Sequence, residues 1–383
     1  MASLQARHTR TCALGRPWTT FEDARTGCTC RPAYVAVIYQ GGKTHREKLG
    51  TDRREAERAF KRFDVAADSG EYRPIPNVTF EAWADEWHGS LRRPKANTLR
   101  SYGFTIKYAK SALGTKPVRQ LNVADVSGFL RVLSEAGVGA STQRKHLRVL
   151  GACLRQAARQ GYAARNPVDE LHESQRPQTD RRESAYFTDD ELPRLIAALP
   201  EGVYRNLALV AVKTGARQGE LLAATWGDLN LGTGTLHIRR SYTDGDLGTT
   251  KNRRTRHVEL GPSVIELLGA WWGECGHPRD NVLVFPGETK TGYINQQVLL
   301  RRELYPAMTR AGIPRVGPTG EKRTWHSFRH SFARVALENG RQITWLSRHL
   351  GHSSLAVTEG VYGHWSKEAA RAEVDELEGA FNV

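Results

Sequence analysis

The segment TWHSFRHSFA, residues 324–333, carries the most information about the fold of this chain. Its spacing is typical of an α-helix, in which positions three or four apart lie on one face. His326 and Arg329 then share one face, while Phe328 and Phe332 share another that can be buried. The segment therefore predicts a helix that presents an imidazole and a guanidinium together above a hydrophobic core.

The two histidines of this segment raise the question of a metal site. His326 and His330 are four residues apart, which is the spacing of the two histidine ligands in a zinc-protease helix. That motif requires a glutamate directly after the first histidine, and Ser327 stands there instead. We therefore exclude this metal site and assign His330 as an ordinary polar helix residue.

Downstream, the segment ITWLSRHLGHSS, residues 343–354, predicts a second helix that ends at Gly351. Tyr362 follows ten positions after His352. Taken alone, such a tyrosine is ordinarily a packing residue with its hydroxyl at the surface. Its interpretation depends on the motifs upstream.

Upstream, the segment TGARQGELL, residues 214–222, places Arg217 at the start of a predicted helix and between two glycines. The planar guanidinium is suited to phosphate oxygens, and glycines let the backbone approach a ligand closely. The alternative is that Arg217 and Glu220 form a structural ion pair at a helix start. The motif alone does not decide between them.

Between these motifs, residues 235–238 and 256–260 predict a pair of strands, with residues 249–252 at the turn between them. Lys251 lies in this turn. A lysine near a hairpin tip is normally a solvated charge, but a flexible hairpin can also bring its ammonium group to a leaving-group oxygen.

Residues 78–173 predict a helical domain in which basic residues outnumber acidic ones. Apolar periodicity predicts helices over residues 79–88, 98–113, 123–135 and 141–160. A basic stripe on the last helix indicates contact with phosphates, although it is also compatible with a solubilising surface; its members are Arg144, Lys145, Arg148 and Arg155. The polar residues 174–186 predict a linker to the third domain, residues 187–383.

Residues 1–75 predict an irregular start and then a small ββα domain. The strands cover residues 34–39 and 43–49, and a helix covers residues 51–67. A basic hairpin braced by one helix can lie in a DNA groove, which makes Lys43, Arg46 and Lys48 candidate DNA contacts. Many small ββα units have no such role.

The N-terminal segment also holds four possible zinc ligands, His8, Cys12, Cys28 and Cys30. The separation of Cys28 from Cys30 is shorter than the usual two to four intervening residues. Reduced, unligated thiols are therefore the preferred interpretation. Five cysteines, an odd number spread over the chain, do not form a disulfide framework, which fits a reducing cytoplasm.

The composition of the 383 residues favours a polyanionic partner, because 56 Lys and Arg against 41 Asp and Glu give a net charge of +15. A membrane surface would also attract this charge. However, the sequence has no apolar run of about 18 residues and no apolar signal-peptide core. We therefore expect a soluble cytoplasmic protein that binds nucleic acid.

The motifs of the third domain, taken together, resemble those of the tyrosine recombinases, the phage-type integrases. Each motif alone is weak, but five in this order and at these separations are specific, and they cover the whole third domain. The resemblance implies a mixed α/β catalytic domain behind a helical core-binding domain and an N-terminal arm-binding domain, in a chain that is mainly α with α+β parts. It implies these active-site residues: Arg217, Lys251, His326, Arg329, His352 and the nucleophile Tyr362.

The chemistry of these residues is consistent with that family. Two arginines can neutralise the charge that builds on a phosphodiester in the transition state. Attack by Tyr362 would store the energy of the backbone bond in a 3′-phosphotyrosine and release a 5′-hydroxyl, so that no metal or other cofactor is needed. Lys251 would protonate the departing 5′-oxygen, and His326 and His352 would share proton transfer and hydrogen bonding.

The resemblance also implies partners and leaves rival functions. It implies strand exchange through a Holliday junction by a homotetramer on double-stranded DNA, with residues 366–383 docking into a neighbouring protomer. An excision factor and a DNA-bending protein are possible further partners, and three domains indicate the integrase of a mobile element. The alternatives are a DNA-relaxing enzyme of the type IB topoisomerase kind and a catalytically idle site-specific DNA-binding protein.

Overall fold

The computed structural model of the chain describes residues 2–15, 17–25, 29–40, 43–69, 77–179, 183–249, 255–363 and 365. The chain divides into two compact units, Met1–Thr179 and Asp180–Val383. Each unit contains both helices and sheets, and helices predominate, as expected from the sequence. The finer division of the first unit into residues 1–75 and 78–173 stays a prediction.

The first unit begins with a four-stranded antiparallel sheet in the order β2-β1-β3-β4. The strands are β1 (Ala2–Arg7), β2 (Trp18–Thr20), β3 (Ala33–Gln40) and β4 (Lys43–Gly50), and helix α1 (Arg53–Asp68) follows them. The expected hairpin of β3 and β4 is confirmed. The expected irregular start is wrong, because Ala2, Leu4 and Ala6 alternate with polar residues and form β1 beside β3.

One face of this sheet packs against α1, and the other does not. Ala36 and Ile38 of β3 contact Phe63 of α1, and all three are buried. The carboxylate of Asp52 starts α1 by accepting the backbone N–H groups of Arg54 and Glu55, both at 2.9 Å. Val35 and Val37 of β3 point to the opposite face of the sheet, away from α1. Their partners on β4, Lys48 and Arg46, project from that same face.

The remainder of the first unit is a helical bundle. Its helices are α2 (Phe80–Ser90), α3 (Ala96–Leu113), α4 (Val123–Glu135) and α5 (Ala140–Arg159), which confirms the four predicted helices to within two residues at each end. Trp83, Phe129 and Leu150 lie in the core. The indole N–H of Trp83 donates to the carbonyl of Cys153 at 3.2 Å, which ties α2 to α5.

The second unit surrounds a larger core with helices and two small sheets. Its first helices are α6 (Glu191–Ala198), α7 (Val203–Thr214) and α8 (Gln218–Leu222). One sheet has the order β5-β6-β9, from β5 (Leu229–Asn230), β6 (Thr235–Ile238) and β9 (Arg256–Glu259), and the other pairs β7 (Arg240–Thr243) with β8 (Asp246–Thr249). The later helices are α9 (Pro262–Glu274), α10 (Gln296–Val298), α11 (Tyr305–Arg310), α12 (His326–Glu338), α13 (Ile343–Leu350) and α14 (Leu355–Tyr362). A π-helical segment, Leu299–Leu304, joins α10 to α11.

The predicted strand pair is confirmed as β6 and β9, but the predicted turn between them is wrong. A second hairpin, β7–β8, lies between the two strands. Its tip is at Asp244 and Gly245, whose φ angles are 49° and 91°, and an Asp-Gly pair favours such a turn. Thr249 therefore ends a strand instead of occupying a turn, and Lys251 lies outside the described residues.

Helices α12, α13 and α14 form their own small core, which includes Leu337, Leu346, Leu350 and Tyr362. The hydroxyl of Ser331 on α12 accepts the N–H of Phe187 at 2.8 Å and donates to its carbonyl at 3.0 Å. The start of the unit is thereby fastened to the helix that sequence analysis identified first. Among the described residues, no helix is long and apolar enough to cross a membrane.

Candidate active site

Arg329 is a buried charge of the second unit that backbone carbonyls hold in place. It lies on α12 and is only 2% exposed. Its Nη1 donates to the carbonyl of Gly215 and its Nη2 to the carbonyl of Leu350, both at 2.8 Å. Burial, together with the neighbouring charge of Arg217, lowers the pKa of Arg329, but a guanidinium remains charged at neutral pH. The two carbonyls therefore fix both the position and the plane of this cation.

The same guanidinium sets the tautomer of His352. Arg329 Nη2 lies 2.9 Å from His352 Nε2, and because an arginine can only donate, Nε2 must be the accepting nitrogen. His352 Nδ1 then carries the proton and donates to the Thr358 hydroxyl at 2.7 Å. Burial, followed by the charges of Arg329 and Arg217, lowers the pKa of His352 to about 4. The imidazole is consequently neutral at pH 7, as this hydrogen-bonding pattern requires.

Gly215 and Gly351 explain how backbone carbonyls reach these side chains. Both residues end helices in the left-handed region, with φ angles of 62° and 67°. A Cβ atom at Gly215 would lie 2.6 Å from Phe332 Cδ1, and one at Gly351 would lie 2.8 Å from Arg256 Cδ. Only glycine meets both requirements, so these positions are part of the geometry around Arg329.

Arg217 is held beside Arg329 by a buried carboxylate. Glu220 accepts from Arg217 Nη1 at 2.9 Å, from Arg256 Nη1 at 2.9 Å and from Arg256 Nη2 at 2.7 Å. Burial alone would raise the pKa of Glu220, but Arg256 and Arg217 hold it at about 2. The ion pair of Arg217 and Glu220, given above as the alternative interpretation, is therefore present, and it positions a cation whose side chain is 23% exposed.

Tyr362 ends α14 with its side chain buried, 1% exposed. Its hydroxyl lies 2.8 Å from Nδ1 of His330. Burial raises the pKa of Tyr362, against the opposing influence of the charges of Arg329 and Arg217. The Tyr362 ring stacks on that of His352, with 6.2 Å between the ring centres, and His352 accepts a hydrogen bond from Arg329. The hydroxyl and the two guanidinium groups thus belong to one network of charges and hydrogen bonds, and the phenol is protonated at neutral pH.

Of the two remaining predicted residues, His326 and Lys251, the structure describes only His326. His326 is exposed at the first turn of α12, and its ring centre lies 4.8 Å from that of His330. His326 therefore lies next to the histidine that contacts Tyr362. Lys251 lies outside the described residues.

Two residues of this site, His330 and Arg256, were not predicted from the sequence. His330, treated as an ordinary polar residue, is the hydrogen-bond partner of Tyr362. Burial, followed by the charge of His326, lowers the pKa of His330 to about 3, so that it is neutral. Arg256, regarded as a strand residue, is the second cation on Glu220. No local motif marks either residue, because each meets its partner only through the packing of distant helices and strands.

The basic residues predicted on α5 line one groove of the first unit. Arg144, Lys145, Arg148 and Arg155 lie along it together with Arg176. All four predicted residues are exposed. Exposed acidic neighbours pair with two of them, Asp169 with Arg155 at 2.8 Å and Glu173 with Arg144 at 3.8 Å.

The N-terminal sheet carries a second basic surface on the face away from α1. Arg46 and Lys48 line a groove there with Arg7 and Trp18. The guanidinium carbons of Arg7 and Arg46 lie 5.7 and 5.6 Å from the centre of the Trp18 ring. Lys43 is exposed at the start of β4 but does not line this groove, so the structure joins only two of the three predicted residues.

Of the four possible zinc ligands, the structure brings three together. His8, Cys12 and Cys30 have their ligand atoms within 4.8 Å of one another. Cys28 lies outside the described residues. No other cluster of three or more such groups occurs within the described part of the chain.

Both units of the chain are similar to known proteins. Residues 185–369 match the phage integrase family, and residues 80–174 match the phage integrase central domain. The chain is 24% identical to the "Tyrosine recombinase XerC-like" protein of Caldanaerobacter subterraneus subsp. tengcongensis, over 89% of this chain and 94% of that protein.

Two solved structures share the fold. The Tn1549 transposon integrase in complex with transposon right end DNA has a TM-score of 0.68 and 16% identity, over 79% of this chain and 100% of that one. The lambda integrase tetramer bound to a Holliday junction has a TM-score of 0.60 and 20% identity, over 88% of this chain and 93% of that one.

Proposed function

The chain belongs to the phage integrase family of tyrosine recombinases and is a site-specific DNA recombinase, and we propose that it moves a mobile element through a covalent 3′-phosphotyrosyl intermediate on Tyr362. The observation that supports this mechanism best is the grouping of Arg329, Arg217 and Tyr362: His352 bonds to Arg329 and stacks on Tyr362, and the charge of Arg217 acts on both. An electrophilic phosphate needs cations on its oxygens and a nucleophile in line, and these three groups supply both.

In the first step, the Tyr362 oxygen attacks phosphorus and the bond from phosphorus to the 5′-oxygen breaks. The 3′-phosphate stays on the protein, and a free 5′-hydroxyl leaves. The phenolic proton passes to the exposed imidazole of His326, which lies next to His330. The 5′-oxygen takes a proton from Lys251. The reverse reaction with a 5′-hydroxyl from another duplex rejoins the strands, so the backbone bond energy is conserved without ATP or a metal.

The two arginines stabilise the transition state in different ways. Arg329 is fixed by two carbonyls and by His352, so little reorganisation is required when charge develops on the phosphate. Arg217 is partly exposed and shares Glu220 with Arg256, so it can turn donors toward a phosphate while remaining anchored. His352 keeps its proton on Nδ1 and orients the fork of Arg329.

The free protein holds Tyr362 in an unreactive state. Its hydroxyl is buried, protonated and hydrogen-bonded to a neutral histidine. Cleavage therefore requires that the phenol leave His330 and meet a phosphate beside the arginines. Coupling this release to the binding of DNA and of neighbouring protomers would prevent cutting by a single chain.

We further propose the partners that this mechanism needs. The groove of Arg144, Arg148 and Arg155 contacts phosphates of the core site, and the sheet face of Arg46 and Lys48 contacts an arm site. Four chains assemble on two duplexes and resolve a Holliday junction. This arrangement is consistent with the lambda integrase tetramer, and it places the protein on DNA in the bacterial cytoplasm, where an excision factor and a bending protein would set direction.

The test uses DNA that flanks the gene of this protein, nicked close to the cleavage site so that the short 5′-hydroxyl fragment is lost. We expect a covalent protein–DNA complex that survives detergent and disappears on proteolysis, and none with Tyr362→Phe. Equal trapping by Tyr362→Phe would refute the proposed nucleophile. Absence of trapping by the wild type on its bound site would indicate an idle DNA-binding protein.

A second assay separates recombination from DNA relaxation. We expect joined products only when two duplexes carry matching sites. Relaxation of any supercoiled plasmid at a comparable rate, without joined products, would instead indicate an enzyme of the type IB topoisomerase kind.

A further inference from the structure

We propose that the N-terminal sheet carries a structural zinc site formed by His8, Cys12 and Cys30. One imidazole nitrogen and two sulfur atoms converge there within 4.8 Å of one another. These are the donor types that zinc prefers in structural sites. The site lies in the first unit and takes no part in the chemistry proposed for Tyr362.

The distances between the donor atoms agree with a shared metal ion. Cys30 Sγ lies 3.1 Å and Cys12 Sγ lies 3.7 Å from the same atom, Nδ1 of His8. In a tetrahedral site with zinc bonds of about 2.1 Å to nitrogen and about 2.3 Å to sulfur, neighbouring donors are about 3.6 Å apart. The two observed distances lie on either side of this value, so each nitrogen-to-sulfur distance needs to change by about 0.5 Å or less.

The ring of His8 is already oriented for a metal on Nδ1. Its Nε2 lies 2.8 Å from the Thr19 hydroxyl, and the side chain is buried. When Nε2 carries the proton and donates to Thr19, the lone pair of Nδ1 points to the two sulfur atoms. Zinc-bound histidines regularly use their second nitrogen in this way, which fixes both tautomer and ring plane.

The position in the fold explains what the metal would stabilise. His8 directly follows β1, and Cys30 precedes β3, whose first residue Ala33 pairs with Arg7. Cys12 lies in the segment between β1 and β2. One ion would therefore fasten two irregular segments to the paired ends of β1 and β3.

The hydrophobic core beside β1 and β3 is small, which gives a reason for a stabilising metal ion. Its buried residues include Ala6, Ala24, Tyr34 and Ala56, of which three are alanines. A domain this poor in buried apolar surface commonly gains its stability from a metal or disulfides. In a reducing cytoplasm, clustered thiols favour a metal over a disulfide.

The ligands also flank the basic groove of the sheet. Arg7 precedes His8 and Arg31 follows Cys30, and both arginines line the groove with Trp18 and Arg46. A metal at this point would therefore hold part of the groove in shape. A water molecule or a further side chain would complete the tetrahedron.

The first test is the metal content of the full-length protein, purified without chelators and analysed by plasma mass spectrometry. We expect about one zinc ion per chain in the wild type. Cys12→Ser and Cys30→Ser should lose most of it, whereas Cys275→Ser, which alters an exposed cysteine of the second unit, should retain it. Wild type with less than about a tenth of an equivalent after growth with zinc, or full retention by Cys12→Ser, would overturn the site.

A second measurement stays decisive even if the serine variants fail to fold. Wild-type protein reconstituted with Co²⁺ should show thiolate-to-cobalt charge transfer and the intense visible bands of tetrahedral coordination. Absence of both, or a Cys12–Cys30 disulfide found by mapping of alkylated peptides from protein purified under reducing conditions, would refute the proposal. Covalent trapping through Tyr362 depends on the second unit, so the two tests fail independently.

Discussion

The two units of this protein hold their charges in opposite ways. In the second unit, Arg329 and Glu220 are almost completely buried, and each makes several hydrogen bonds at fixed distances. In the first unit, Arg144 and Arg148 are exposed along an open groove. Buried charges are preorganised and little screened by salt, whereas exposed ones are screened over about 10 Å at ordinary ionic strength. The comparison supports the proposal that the second unit provides the chemistry and the first provides adjustable affinity for DNA.

The largest effect is expected from replacing the buried Arg329 by lysine, which tests whether the buried charges of the second unit are required for cleavage. A single ammonium group cannot reach both carbonyls and His352 at once, so we expect cleavage of nicked DNA to fall about 10²- to 10³-fold at saturating protein. The matched change Arg148→Lys in the first unit should leave this rate near that of the wild type. A loss of less than about tenfold in Arg329→Lys would contradict the assigned role.

Two glycines test whether the backbone of the site is equally constrained. Gly215→Ala forces a left-handed alanine into contact with Phe332 and Leu350, so we expect a loss of about 2–4 kcal/mol in the free energy of unfolding. Gly128→Ala on α4, where a Cβ would meet nothing within 4 Å, should be neutral or stabilise by up to about 1 kcal/mol. Urea denaturation followed by circular dichroism measures both. Similar effects of the two changes would refute the proposed constraint.

Lowering the pH should reduce the stability of the second unit, because His352 and His330 are neutral in the folded protein. The folded pKa of His352, about 4, is below its ordinary value of 6.5, so the unfolded chain binds protons between these pH values that the folded chain does not. This contribution is complete above pH 6.5 and declines as the pH falls toward 4, and His330 acts in the same direction. Glu220 adds a loss as the pH falls from 4.5 toward 2.

We expect the free energy of unfolding to fall by about 2 kcal/mol between pH 7 and pH 5, since solvent screening at half-buried His352 reduces the full value. Urea titrations at the two pH values measure this difference. His352→Asn, which retains an acceptor for Arg329 but does not titrate, should show a smaller decrease. An equal decrease in this variant would assign the acid sensitivity elsewhere.

The smallest effects should come from the exposed groove. Arg148→Gln should weaken DNA binding by about 1 kcal/mol and reduce the slope of log affinity against log salt by about 1. Arg131→Gln on α4 is the matched control, because its side chain is 77% exposed but does not line the groove. Fluorescence anisotropy at several salt concentrations tests both. Equal losses in the two variants would mean that overall charge, and not this groove, determines the affinity.

Much of the fold was predictable because its signals are local. The spans of α3 and α4 follow from apolar residues at helical spacing, and each was predicted to within two residues. Strand β1 was missed because its inward residues, Ala2, Leu4 and Ala6, are mostly small and give only a weak alternation. The Asp244-Gly245 pair is a local turn signal for the β7–β8 hairpin, but it was overlooked when the turn was placed at residues 249–252.

The site was predictable to the extent that its residues lie in recognisable motifs. Arg217, Arg329, His352 and Tyr362 were identified together, and the structure brings all four into one network. His330 was assigned to the wrong class, because its neighbour Tyr362 is 32 positions away in sequence. The proposed zinc ligands His8, Cys12 and Cys30 were noticed, but the short separation of Cys28 from Cys30 argued against a metal, and only the fold shows that the three side chains lie close together.

The amino-acid sequence by itself determined the helix spans, the order of the motifs and the family. Periodicity and motif residues act within a few positions, and they retain their meaning before the chain is folded. Only the tertiary structure decided which nitrogen of His352 is protonated, that Tyr362 is held by His330, and that Gly215 and Leu350 offer their carbonyls to Arg329. The physical reason is that every residue has the same backbone carbonyl, so its direction depends on how distant helices pack.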